Sequence, residues 1–226
     1  MRELKVSLLA AFLFSLLCSN LVYSQDKTTE FNPLAENKWA VVFEAGTLLR
    51  GSSGDVFKNF LLTGKYHFNK KHAVRLFGGT SGYKSDGNEK GYNQPDLNRI
   101  SESFYIETGL QYVRYLNPDS RVKVYLAAGP YYTFDYSNSN RDDAITGSWY
   151  SYYYSKEWNL GIAGSLGVEY IILDNISLIG EYFISATAGK TIGDSRYAEN
   201  YQWYSSESTN YRIRFNKMQI GLSVYF

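Results

Sequence analysis

Cysteine, histidine and proline are scarce in this 226-residue chain, at one, two and four residues. Each scarcity excludes something. The single cysteine, Cys18, falls in an N-terminal stretch that reads as an export signal, so the exported product has no thiol chemistry and no disulfide to stabilise it. Bulky Leu17 precedes Cys18 at a point where a lipidated cysteine normally follows a small residue, which argues against lipidation. His67 and His72 are five apart across a tight turn and lack further ligands, a weak pattern for a metal site. No Walker loop, dinucleotide fingerprint or zinc spacing occurs. No catalytic, cofactor or metal site is therefore expected, and the chain reads as non-enzymatic.

Long apolar runs are missing too. The stretch 6–17 is too short for a spanning helix. With Arg2 and Lys5 ahead of it and Val22-Tyr23-Ser24 as a cleavage site, it reads as a secretory signal over 1–24. An excess of one charge is also absent. The chain has 23 basic and 22 acidic residues, and removing Arg2, Lys5 and Glu3 with the signal leaves a net charge of zero. That balance argues against a nucleic-acid partner.

What the chain does have is aromatic residues, at 17% with 22 tyrosines, together with 19 glycines. The clearest pattern closes the sequence: Met218, Ile220, Leu222, Val224 and Phe226 alternate with Gln219, Gly221, Ser223 and Tyr225. Strict period-two alternation predicts a strand with one apolar face. Seven more segments from about Lys38 onward repeat it. Trp39, Val41 and Phe43 oppose Val42 and Glu44, and Leu62, Tyr66 and Phe68 oppose Thr63, Lys65 and His67. Val74 and Leu76 oppose Arg75 and Phe77; Ile106, Leu110 and Tyr112 oppose Glu107, Gly109 and Gln111. Val122, Val124 and Leu126 oppose Lys123 and Tyr125, Leu160, Ile162 and Leu166 oppose Gly161, Ser165 and Glu169, and Leu178, Tyr182 and Ile184 oppose Glu181 and Phe183. The mean hydropathy of −0.34 does not exclude a membrane, because only alternate residues of a spanning barrel meet lipid.

The connections sort into two kinds. Asn69-Lys70-Lys71, Asn117 to Ser120 and Asp174-Asn175 are tight and carry turn residues. Segments 80–101, 133–156 and 189–210 are long and polar and read as loops, while 50–55 is a shorter one. Strict alternation of short and long connections with an even number of strands predicts an all-β fold: an eight-stranded antiparallel transmembrane β-barrel with short periplasmic turns and long extracellular loops. The expected organisation is a signal peptide at 1–24, a periplasmic leader at 25–37 and the barrel at 38–226.

With the apolar face toward outer-membrane lipid, the opposite face fills the lumen. Its charges are Glu44, Glu107, Glu169 and Glu181 against Lys65, Arg75, Lys123 and Lys217. Eight strands enclose a bore just wide enough for side chains to fill, so these groups are expected to pair as a packed network, the alternative being a polar path for ions. Gly109, Gly129, Gly161, Gly167 and Gly221 make room on that face. Two aromatic girdles are expected: Tyr131, Tyr132, Phe134, Trp158 and Tyr211 toward the loops, and Trp39, Tyr66, Phe68, Tyr112, Tyr170 and Phe226 toward the turns. Trp149, Tyr150, Tyr152, Tyr153, Tyr154, Tyr201, Trp203 and Tyr204 in the long connections suggest a binding surface for surface protein or glycan. The other reading is that the strands run on beyond the membrane and stack these rings on one another.

The terminal strand, the eight segments, the loop alternation and the charged inner face together resemble the small OmpA and OmpX type outer-membrane barrels. The resemblance covers about Lys38 to Phe226 and is architectural. In the last strand Gln219, Gly221, Val224 and Phe226 are similar to the family's assembly signal. The resemblance implies an integral outer-membrane protein of the porin-like barrel class, inserted by the barrel assembly machinery. Such a barrel acts in envelope integrity or surface interaction, or alternatively as a narrow channel for small solutes; a lipid-modifying barrel enzyme is a third reading.

Overall fold

The computed structural model describes residues 39–46, 60–89, 97–143, 150–197 and 202–226. The expected signal and leader, and the stretch 50–55, lie outside them. The described residues form eight strands: β1 (Trp39–Gly46), β2 (Phe60–Asn69), β3 (His72–Glu89), β4 (Leu97–Tyr115), β5 (Val122–Asp143), β6 (Tyr150–Leu173), β7 (Ile176–Tyr197) and β8 (Gln202–Tyr225). Each pairs antiparallel with the next and β8 returns to β1, so the sheet closes on itself. Among the described residues no sheet edge is left in the lower half, which suits a structure surrounded by lipid, where an unpaired N–H or C=O has no water to turn to.

Closure is staggered. The ladder runs from Phe43 through Leu62, Gly78, Thr108, Tyr132, Leu160 and Ala188 to Tyr211. Phe43 itself pairs across the seam with Leu222, eleven residues farther along β8. A stagger of this kind requires the strands to tilt by roughly 40°. The seam is pinned at the bottom, where the Phe226 N–H donates to the Trp39 carbonyl at 2.9 Å, and on the other side of β8 the Tyr225 N–H donates to the Asn175 carbonyl at 2.9 Å.

Burial follows the alternation. Leu76, Leu110, Leu160, Ile162 and Leu222 are exposed on the outer face, while Lys65, Arg75, Gln111, Glu169 and Ser223 are buried. The inversion of polar inside and apolar outside is the signature of a barrel solvated by hydrocarbon.

The strand lengths depart from expectation. The stretches read as long loops are largely strand: β5, β6, β7 and β8 run for 22, 24, 22 and 24 residues. β3 has 18. At ~3.3 Å per residue and ~40° of tilt, 24 residues rise ~60 Å, about twice the hydrocarbon thickness. Backbone pairing continues outside the membrane without an apolar face to mark it. β1 and β2, with 8 and 10 residues, each make about one crossing. The connections that stay tight are the three expected turns, with Asn69 Oδ1 accepting from the Lys71 and His72 N–H groups and Asn117 Oδ1 accepting from the Val124 N–H.

β8 carries a bulge. Phe183 pairs with Lys217 and Ser185 with Arg214, so two steps on β7 match three on β8. The extra residue reverses the inward parity of the strand. Below it Gln219, Gly221 and Ser223 face in; above it Tyr211, Ile213 and Phe215 stand exposed on the outer face. In β5, Pro130 has no N–H to donate, and the β4–β5 pairing lapses at Leu110 and Gln111 opposite it.

Candidate functional site in the barrel lumen

The lumen is filled in three storeys. At the turn end, Glu169 of β6 is completely buried. It accepts from Lys65 Nζ at 3.1 Å, the Tyr115 hydroxyl at 2.8 Å, Ser177 Oγ at 2.5 Å and the Tyr225 hydroxyl. Lys65 also donates to Tyr115 at 3.0 Å and lies within 6 Å of the Tyr115, Tyr125 and Tyr225 rings. His67 Nε2 sits 3.3 Å from the Tyr115 hydroxyl. Desolvating an ion pair is tolerable only when its remaining lone pairs and protons are met, and four partners on one carboxylate do that.

The second storey centres on Arg75. Its guanidinium forks onto Glu181 at 2.6 and 2.8 Å and onto Gln111 Oε1 at 2.8 and 2.6 Å, and donates to Ser165 Oγ at 3.0 Å. The Tyr125 hydroxyl donates to Glu181 at 2.7 Å, and Glu44 adds its negative charge to the field around Arg75. Gly167 faces the Tyr125 ring so closely that a Cβ there would overlap it.

Above this the third storey is apolar. Phe77, Tyr131 and Phe183 pack ring against ring, with centroids 6.2, 5.9 and 5.4 Å apart, beside Leu61 and Ala163. All three rings are buried. Gly109 makes the room, since a Cβ there would strike the Phe77 ring. The Tyr131 hydroxyl donates to Glu107 at 2.8 Å, and Tyr105 lies within 3.5 Å of both.

Of the eight lumen charges read from the sequence, seven are buried inside. Lys65–Glu169 and Arg75–Glu181 are ion pairs. Glu107 accepts from the Tyr131 hydroxyl, and Lys123 donates to the Pro118 carbonyl, staking the second turn. The side chain of Lys217 lies outside what the structure describes. Tyr131, assigned to the outer girdle, points inward and belongs to the aromatic trio, as its odd number in β5 requires. Tyr132, Trp158 and Tyr211 are exposed on the outer face as expected.

His67 and His72 lie on opposite faces: His67 is buried in the lumen, whereas His72 meets the Tyr112 hydroxyl outside. They form no common site. Among the described residues no group of three acidic, histidine or cysteine side chains is placed to hold a metal.

The aromatic surface expected in the loops is split by the same alternation. Trp149 and Tyr201 lie outside the described residues, as does the side chain of Tyr150. Tyr152 stacks on Tyr154, which meets Tyr136 edge to face, on one face of β5–β6, and Arg196 covers Trp203 at 4.6 Å on the neighbouring strands. Tyr153 and Tyr204, both exposed, fall on the other face by strand parity. Of the four terminal-strand residues matched to an assembly signal, Gln219 and Gly221 face in and Val224 and Phe226 face out, with Phe226 tied to Trp39.

A group that sequence reading passed over lies above the trio: Glu157, Asn159, Thr191, Asn210 and Arg212. Arg212 forks onto Glu157, with Nη2 at 2.8 Å from Oε2. The signal for it was the parity reversal between Phe215 and Met218, which places Arg212 and Arg214 inside.

A family model described as an outer membrane protein beta-barrel domain matches residues 37–185. No curated protein matches the sequence. Among solved structures the chain is similar to a major outer membrane protein from Thermus thermophilus (14% identity, 83% of this chain and 99% of that one, TM-score 0.45). OprG from Pseudomonas aeruginosa is similar at 17% identity, with 84% and 96% covered and TM-score 0.45. CarO from Acinetobacter baumannii is similar at 13%, with 86% and 100% covered and TM-score 0.36.

Proposed function

Since the chain belongs to the outer membrane protein beta-barrel domain family and resides in the bacterial outer membrane, we propose that it is a sealed, non-enzymatic barrel acting in envelope integrity or surface interaction through the wall it raises outside the membrane. The observation that carries this reading is the closed lumen: three mutually packed rings lie over two storeys of buried ion pairs. An ion crossing it would have to displace both pairs and force its way between three packed rings at the cost of most of its hydration shell. That argues against the narrow-channel alternative. The separation of His67 from His72 on opposite faces of the wall supports the non-enzymatic side.

In this reading the outer apolar rows contact lipid, and Gln219, Gly221, Val224 and Phe226 serve recognition by the assembly machinery. The extramembrane parts of β3–β8, with Tyr136, Tyr152, Tyr154, Arg196 and Trp203 on one face, supply the surface for a protein or glycan partner. Planar-bilayer recording on the purified barrel tests the central point. The expected trace shows no steps above the lipid background; discrete, reproducible openings would overturn the sealed-barrel reading in favour of a channel.

A further inference from the structure

Above the aromatic trio the inner face of β5–β8 turns polar and its side chains become more exposed toward the outside, forming a cup. Glu157 of β6 accepts from Arg212 of β8, from Asn159 Nδ2 at 2.8 Å and from Thr191 Oγ1 at 3.3 Å. Asn159 also donates to Thr133 Oγ1 at 3.1 Å, and Asn210 donates to Thr191 Oγ1 at 2.9 Å. Exposure rises from floor to rim: Asn159 is 2% exposed, while the side chains of Glu157 and Arg212 are 14% and 37% exposed. The Oδ1 atoms of Asn159 and Asn210 are screened from solvent and accept no hydrogen bond from the protein. Asp135, on the wall formed by β5, lies in the field of Glu157, Arg212 and Arg214.

We propose that this cup binds a neutral saccharide from the outside, with Glu157, Arg212 and Asn210 as its polar contacts. The inference deepens the proposed surface role and rests on the sealed lumen, because a solute entering the cup is stopped by the rings of Phe77, Tyr131 and Phe183. Carboxylate, guanidinium and carboxamide groups are planar and offer paired acceptors or donors, which matches the vicinal hydroxyls of a sugar ring. Arg212 is already matched by Glu157, and Arg214 stands near Asp135, so these residues offer no bare charge to hold a simple anion or cation. Nor do they form an apolar strip for an acyl chain. The polar groups are held in place by one another before any ligand arrives, which lowers the ordering cost of binding.

The experiment uses the full-length processed protein folded in detergent micelles, with saturation-transfer NMR against glucose, galactose, N-acetylglucosamine and lactose, followed by calorimetry on any sugar that responds. At least one is expected to bind with millimolar affinity. Binding should weaken about tenfold or more in Glu157→Gln and in Asn210→Ala, each checked for folding by its heat-modifiable migration, and should be unchanged in Lys84→Gln on the outer face. Two sources of sugar are separated by offering the same residue free and at the end of an immobilised oligosaccharide. Capture of the free form alone supports the proposal with a dissolved ligand; capture of both supports it with a surface glycan. Absence of saturation transfer to all four sugars, or equal binding by both cup variants and the parent, would overturn it. Conductance in planar bilayers is a separate readout: it would break the sealed-lumen reading, whereas loss of sugar binding leaves that reading untouched.

Discussion

Below the ring formed by Tyr132, Trp158 and Tyr211 the barrel buries charge and exposes hydrocarbon, whereas above it the same strands carry polar residues on both faces. The backbone ladder does not change between the two regions; its solvent does. In the lower half every inward side chain competes for a narrow, dry bore, and single groups there have three or four partners, as Glu169 and Arg75 do. In the upper half pairs such as Lys84–Glu102 and Lys190–Glu207 stand in water, where an ion pair contributes little. Stability is therefore concentrated below, and the upper wall is free to vary its side chains for recognition.

The sharpest way to break this comparison is at the bulge that joins the two regions. Deleting Asn216 removes the extra residue, so keeping the lower ladder intact turns Arg212 and Arg214 toward lipid and Tyr211 and Ile213 inward. A lipid-facing arginine costs ~2–4 kcal/mol at the midplane and ~0–1 kcal/mol near the interface, where Arg212 lies beside Tyr211; the larger loss is on the inner face, where Glu157 is stripped of Arg212 and two bulky apolar side chains enter the bore. The deletion variant is expected to lose heat-modifiable migration altogether. If it folds like the parent, the bulge is not what sets the upper register.

A smaller but still large effect is expected in the second storey. Glu181→Gln leaves the Arg75 guanidinium buried without its counter-charge, costing ~3–5 kcal/mol in urea unfolding followed by gel mobility. Replacing both partners by apolar residues of similar volume, as in Arg75→Met with Glu181→Leu, is expected to recover most of that loss. Failure of the double variant to recover would mean that Gln111, Ser165 and Tyr125 depend on the ion pair for their own placement. Next in size is Phe183→Ala, with ~3 kcal/mol lost from the aromatic trio by truncating a packed ring. The bilayer trace should stay silent, because the two ion-pair storeys beneath still close the bore. Openings in that variant alone would identify the trio as the sole seal.

The inward and outward assignment of most membrane-crossing residues was legible because lipid enforces an apolar residue at each second position. Tyr131 shows the limit of reading by residue type: its aromatic ring suggested the girdle, but parity with Tyr125 and Gly129 put it inside. The height of the wall was hidden for a related reason. Between Thr133 and Lys156 both faces are polar, so the alternation that marks a strand is gone although backbone pairing persists. The charged pairs were legible as a set but not as partners, because pairing across a closed bore depends on stagger and not on sequence distance. The cup became visible only once the bulge in β8 placed Arg212 beside Glu157, whose residues are 55 apart in the chain.

The smallest predicted effect lies on the outer face of the wall. Arg196 rests 4.6 Å over the Trp203 ring, a cation–π contact of ~0.5–1 kcal/mol at an exposed site. Arg196→Ala should therefore lower urea stability by no more than that and leave mobility unchanged, because no buried partner is stranded when the guanidinium goes. The same substitution removes the cation from the aromatic face that includes Tyr152 and Trp203, so it should weaken attachment to whatever surface partner that face meets while the barrel stays intact. A stability loss as large as that of Glu181→Gln would show that the wall is as tightly interlocked as the lumen, and the division between a rigid lower barrel and a permissive upper one would have to be given up.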